Sequence, residues 1–155
     1  MKHSAAPFLI VAVAATVHAQ SADEKAVQMT VESFLTRLGD HQFDTLDADF
    51  APNAIIVVAR QRTSAGGATE WVNSYQTVEE WLAGLKKHPN PTTFREPIAN
   101  VRVTIDSDRL AHLRADFQVI RDGKALSSGV DHFTLVREPA AWRIAAIAYT
   151  SAPVR

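Results

Sequence analysis

Gly129-Val130-Asp131-His132-Phe133-Thr134-Leu135-Val136-Arg137 runs through Glu138-Pro139-Ala140-Ala141 into Trp142-Arg143-Ile144-Ala145-Ala146-Ile147-Ala148-Tyr149. Both flanking runs are rich in apolar, β-branched and aromatic residues, which suit a pleated, half-buried surface. Pro139 cannot donate to a ladder and marks the turn between them. The stretch is a β-hairpin, and the chain is organised around it.

Working back from it, Ile98 to Ile105, Leu110 to Ile120 and Ala125 to Val136 have the same strand-like character. Asp106-Ser107-Asp108 and Arg121-Asp122-Gly123-Lys124 are turns, and Asp-Gly between alternating runs is a strong hairpin signal. The N-terminal half reads differently. Ser21 is an N-cap followed by Asp23 and Glu24, after which Val27, Val31, Phe34, Leu35 and Leu38 recur at helical spacing up to Gly39. Phe43, Leu46 and Phe50 predict a short second helix, stopped at Pro52-Asn53. Ile55-Ile56-Val57-Val58-Ala59 predicts a strand buried on much of both faces, and Trp71 to Tyr75 a returning strand. Thr77 and Glu80 form a capping box for a third helix with Val78, Trp81, Leu82 and Leu85 on its apolar stripe. His88-Pro89-Asn90-Pro91 breaks the chain. Helices first and strands after make an α+β pattern: a curved antiparallel sheet packed on three N-terminal helices.

Met1-Lys2-His3, the apolar run from Ala5 to Val17, and Val17-His18-Ala19 match a secretory signal peptide, predicted as residues 1–19. An uncleaved N-terminal anchor is the alternative. Cleavage leaves one domain, residues 20–155, of about 135 residues, enough for a single core. The predicted location is the periplasm or the exterior. The chain has no cysteine, so that core must suffice without disulfides. A net charge of −1 without a basic stripe argues against nucleic acid, and no other run approaches a bilayer span. Asp44, Asp47 and Asp49 match no Ca²⁺ loop, and no metal or cofactor is predicted. There is no Gly-x-Ser-x-Gly elbow for a serine nucleophile.

The order of elements resembles that of the nuclear transport factor 2-like, or SnoaL-like, superfamily. The Gly129–Arg137 motif followed by Trp142-Arg143-Ile144-Ala145 is similar to the signature of its lumazine-binding branch, as are Val78 to Leu82, Val101 to Asp106 and Arg121 to Lys124. The resemblance covers residues 24 to 150. It implies a cone-shaped roll with a pocket between helices and sheet. Ser127-Ser128 depart from the branch pattern, in which a His-Cys pair often stands there.

Strand alternation selects the site candidates. Asp131, Phe133 and Leu135 share one face, as do Ala111, Leu113, Ala115, Phe117 and Val119; these should face the helices. An inward Asp131 among apolar neighbours is a general acid or base candidate, because desolvation raises its pKa. Alternatively it accepts backbone hydrogen bonds or pairs with an arginine such as Arg60. His132 falls on the opposite face and enters the pocket only if a bulge shifts the register. Tyr149 shares parity with Ile147, opposite Trp142 and Ile144. Trp71, Tyr75, Trp81, Phe117, Phe133 and Tyr149 are candidate ligand contacts, since aromatic walls suit a flat ligand.

The leading reading is an exported protein with an apolar pocket for a small hydrophobic or heterocyclic ligand, forming a homodimer through the outer face of the sheet. Its rivals are a cofactor-independent lyase or isomerase using Asp131 on a hydrophobic carbonyl substrate, and a non-catalytic interaction domain.

Overall fold

A computed structural model describes residues 20–87 and 93–154. The signal-peptide reading and the break at His88–Pro91 lie outside the described residues. Helix α1 spans Ala22–Gly39 and α2 Val78–Lys87. Strands β1 (Phe50–Thr63), β2 (Thr69–Thr77), β3 (Ile98–Asp106), β4 (Leu110–Arg121), β5 (Lys124–Arg137) and β6 (Trp142–Pro153) form one sheet in the order β2-β1-β6-β5-β4-β3. Neighbours are antiparallel except β1 and β6, which run parallel. The fold is α+β, with a curved, mixed sheet where an antiparallel one was expected. Among the described residues no helix is long and apolar enough to cross a membrane.

Both capping boxes form. Ser21 Oγ accepts from the Glu24 amide at 3.2 Å while the Glu24 carboxylate accepts from the Ser21 amide at 2.6 Å. Thr77 and Glu80 repeat the exchange at the start of α2. The predicted middle helix is instead a single 3-10 turn, Leu46–Asp49. Its aspartates are poor helix formers, and the chain must extend into β1 before Pro52. Leu46 still enters the core, while Asp49 makes a half-buried pair with Arg37 and Asp44 an exposed one with Lys86.

Helix α1 crosses β3, β4 and β6, and α2 packs against β1 and β2. Val27, Val31, Phe34, Leu35 and Leu38 of α1 are buried against Leu113, Phe133, Leu135 and Ile144. Phe34 is the hub: its ring lies 5.4 Å from Phe50, 6.1 Å from Phe133 and 6.3 Å from Trp81. Strand β1 alternates, with Ile56 and Val58 inward and Ile55 outward, so its burial on both faces does not hold.

Two bulges decide which side chains face the helices. The β4–β5 ladder runs without a shift from Leu110–Val136 to Val119–Ser127 and slips only beyond it, at Leu126. Asp131 therefore stays inward. In β6 a shift at Ala145 separates the Leu135–Ile144 pair from Thr134–Ala146. Trp142 and Ile144 point inward before it, and Ile147, Tyr149 and Ser151 after it, so both parity sets share the concave face.

Candidate functional site

The concave face and the two helices enclose a cavity of about 590 Å³. Phe34 and Leu38 of α1, Trp81 and Leu85 of α2, and Phe117 and Phe133 of the sheet form its apolar walls. Its size falls in the usual range for small-molecule sites.

Asp131 is 3 % exposed and stands directly across the β5–β6 ladder from Tyr149 and across β4–β5 from Ala115. Its Oδ2 atom is buried with no hydrogen-bond partner. The pairing with Arg60 considered above does not form; that guanidinium sits beside Tyr149 instead. Burial lifts Asp131 from 3.8 to about 7.

A second carboxyl, Glu96, lines the same cavity and was not anticipated. It lies between Arg95, whose backbone bridges to Ile120 at 2.8 Å in both directions, and Pro97. The segment is anchored further back, where the Phe94 amide donates to Gly39 O at 3.0 Å. Gly39 is required there, because a Cβ would collide with the Phe94 carbonyl. Burial, and the Asp131 charge after it, lift Glu96 from 4.5 to about 8. Two like charges in one apolar space oppose each other's ionisation, so near neutrality the pair favours holding a proton.

The Tyr149 hydroxyl is the third polar group, pushed up by burial against the opposing effect of Arg60, and so held neutral. Its ring meets Phe117 edge-on at 6.2 Å. Gly129 makes room at this point, since a Cβ would collide with the Thr150 carbonyl and lie 2.8 Å from the Phe117 ring.

Four of the predicted ligand contacts, Trp81, Phe117, Phe133 and Tyr149, line the cavity. Two do not. Trp71 and Tyr75 are 55 % and 74 % exposed on the outer face of β2, because Val72, Ser74 and Gln76 take the inward positions. His132 also needs correction: it is exposed on the outer face, opposite Arg114 and Ala148, since the nearby bulge lies in β6 and leaves the alternation of β5 unbroken there.

The sequence profile of the SnoaL-like domain matches residues 19–148. The chain belongs to the SnoaL-like domain family. No curated protein is significantly similar to it. Solved structures with the SnoaL-like chain's fold include two proteins of Novosphingobium aromaticivorans with provisional assignments. One, the beta subunit of an aromatic-ring-hydroxylating dioxygenase, has 15% identity, TM-score 0.66 and coverage of 86% of this chain and 91% of that one. The other, a scytalone dehydratase, has 15% identity, TM-score 0.62 and coverage of 83% of each chain. A nuclear transport factor 2-like protein with a cystatin-like fold from the same organism has 15% identity and TM-score 0.62, covering 85% of this chain and 82% of that one. At such identities these likenesses speak to the fold of this SnoaL-like domain, and its chemistry rests on its own residues.

Proposed function

We propose that this SnoaL-like domain is a cofactor-independent lyase or isomerase that moves a proton on a small hydrophobic molecule bearing a carbonyl group. The carrying observation is the convergence of Asp131, Glu96 and Tyr149 on one apolar cavity. The ionised carboxyl of the pair takes a proton from carbon beside the carbonyl. Neutral Tyr149 donates a hydrogen bond to the oxygen on which charge develops. The protonated carboxyl returns a proton at the new position, or protonates a departing hydroxyl, which leaves as water. A cavity of this size argues against a pocketless interaction domain.

The resemblance to the lumazine-binding branch and the ring-lined walls support a flat, heterocyclic or carbocyclic ligand. The N-terminal residues support export to the periplasm or beyond. On the outer face Ile55, Trp71 and Tyr75 expose large apolar surface beside the short side chains of β6. A second copy covering it is the arrangement that fits, because soluble proteins rarely leave such patches open.

The test is ligand recovery by native mass spectrometry, followed by incubation of protein and ligand in deuterated water. A proton-transfer enzyme washes deuterium into recovered substrate or product, and Asp131→Asn and Glu96→Gln each slow it. Ligand recovered unlabelled and unchanged from all three proteins refutes turnover and leaves a binding protein.

A further inference from the structure

The cavity carries more charge than proton transfer uses. Arg60 and Arg62 of β1 and Arg121 of β4 line the same space as the two carboxyls. In β1 the inward face runs Ile56, Val58, Arg60, Arg62, so the buried apolar stripe ends in two exposed guanidiniums. In β4 the series Phe117, Val119, Arg121 ends in a half-buried guanidinium, with Lys124 across the ladder from Arg121. The arginines thus mark the exposed end of the cavity.

None of the three takes part in an ion pair among the described residues. Glu70 stands opposite Arg62 in the β1–β2 register but does not pair with it. The Nε atom of Arg121 is buried with no hydrogen-bond partner, a costly state that an incoming acceptor relieves. Nor do the arginines neutralise the carboxyls: burial alone raises Asp131, and burial with Asp131 raises Glu96.

We infer that the cavity takes an amphiphilic anion, its apolar body between helices and sheet and its carboxylate, or an equivalent anionic group, held at the mouth by Arg60, Arg62 and Arg121. This rests on reading the cavity as a small-molecule site and adds charge and orientation to that reading. The anionic end must lie outward, because beside Asp131 and Glu96 it meets like charge. The apolar body then reaches the proton-transfer groups. Arginine suits the task, since its planar fork matches carboxylate geometry.

Two fluorescent probes with one aromatic skeleton test this: anilinonaphthalene sulfonate, which is anionic, and phenylnaphthylamine, which lacks the sulfonate. The anionic probe is expected to bind about tenfold more tightly, the scale of one charge-assisted hydrogen bond. It should displace the neutral probe from a single site. Arg121→Gln and Arg62→Gln, and added salt, should remove that advantage while leaving the neutral probe's affinity as it is. Stoichiometric binding of the neutral probe with no advantage for the anionic one, or an advantage that survives both variants, overturns the inference and keeps the cavity reading. Failure of both probes to bind stoichiometrically overturns both.

Discussion

Asp131→Asn should change how stability depends on pH, whatever the ligand is. The Asp131 carboxyl is raised from 3.8 to about 7 in the folded protein, so folding favours its protonated form. Its contribution is fully present below its unfolded value and is lost as pH rises through the folded one. A rise of that size corresponds to about 4 kcal/mol, at a limiting slope of about 1.4 kcal/mol per pH unit. The asparagine side chain does not titrate. Removing Asp131 also removes the charge that helps raise Glu96, so the variant should keep more stability at high pH on both counts. Urea unfolding of both proteins, followed from about pH 4 to about pH 8, gives the difference. The wild type should lose ground steadily relative to the variant, by about 2–4 kcal/mol across the range. Parallel curves would mean that Asp131 is solvated or paired in solution, and the acid-pair reading would fail with it.

Tyr149→Phe should leave folding near wild type and lower the rate of deuterium wash-in by about a hundredfold, the scale of one lost oxyanion donor. An unchanged rate removes Tyr149 from the mechanism. Gly129→Ala forces a Cβ into the Thr150 carbonyl and the Phe117 ring, and should cost about 1–3 kcal/mol in urea unfolding. Phe34→Ala empties the junction of Phe50, Trp81 and Phe133 and should cost about 3–5 kcal/mol in the same assay. Glutamate at both Trp71 and Tyr75 should break the proposed outer-face dimer in sedimentation, with the cavity and its probe binding unaltered; a wild type that sediments as a monomer refutes that dimer.

Most of the fold was legible because several local signals agreed. Asp122 and Gly123 both adopt positive φ, as the tight turn of the β4–β5 hairpin requires, and past the bulge at Leu126 the two strands alternate cleanly. Thr77 and Glu80 marked the start of α2 unaided. What failed did so where one local pattern served two structures. The spacing of Phe43, Leu46 and Phe50 suits a helix, yet it equally suits one 3-10 turn feeding a strand. Ile55 to Ala59 looked buried on both faces because apolar residues also fill the outer face. A single chain cannot distinguish a buried face from one left for a partner.

The site was half legible, for a reason that lies in how its two carboxyls are held. Asp131 sits in a regular ladder, so alternation alone placed it inward and separated it from His132. Glu96 sits outside any long strand, in a short stretch between Arg95 and Pro97 where no periodicity can be read. Its position comes from contacts remote in sequence: Gly39 against Phe94, and Arg95 bridging Ile120. The nearest hint was chemical. An inward aspartate without a cationic partner becomes more serviceable beside a second titratable group, and the chain between helices and sheet is where one could approach from the far side. That division has a functional consequence. Asp131 is held by a rigid sheet, whereas Glu96 depends on the close fit at Gly39. Replacing Gly39 with alanine should displace Glu96 while Asp131 stays in place. Deuterium wash-in should then fall, and the residual rate should depend on one carboxyl instead of two. A bell-shaped pH–rate profile would become a single rising limb, reporting an isolated base. A profile that keeps both limbs would show that Glu96 is not the acid, and would leave Tyr149 to carry that role.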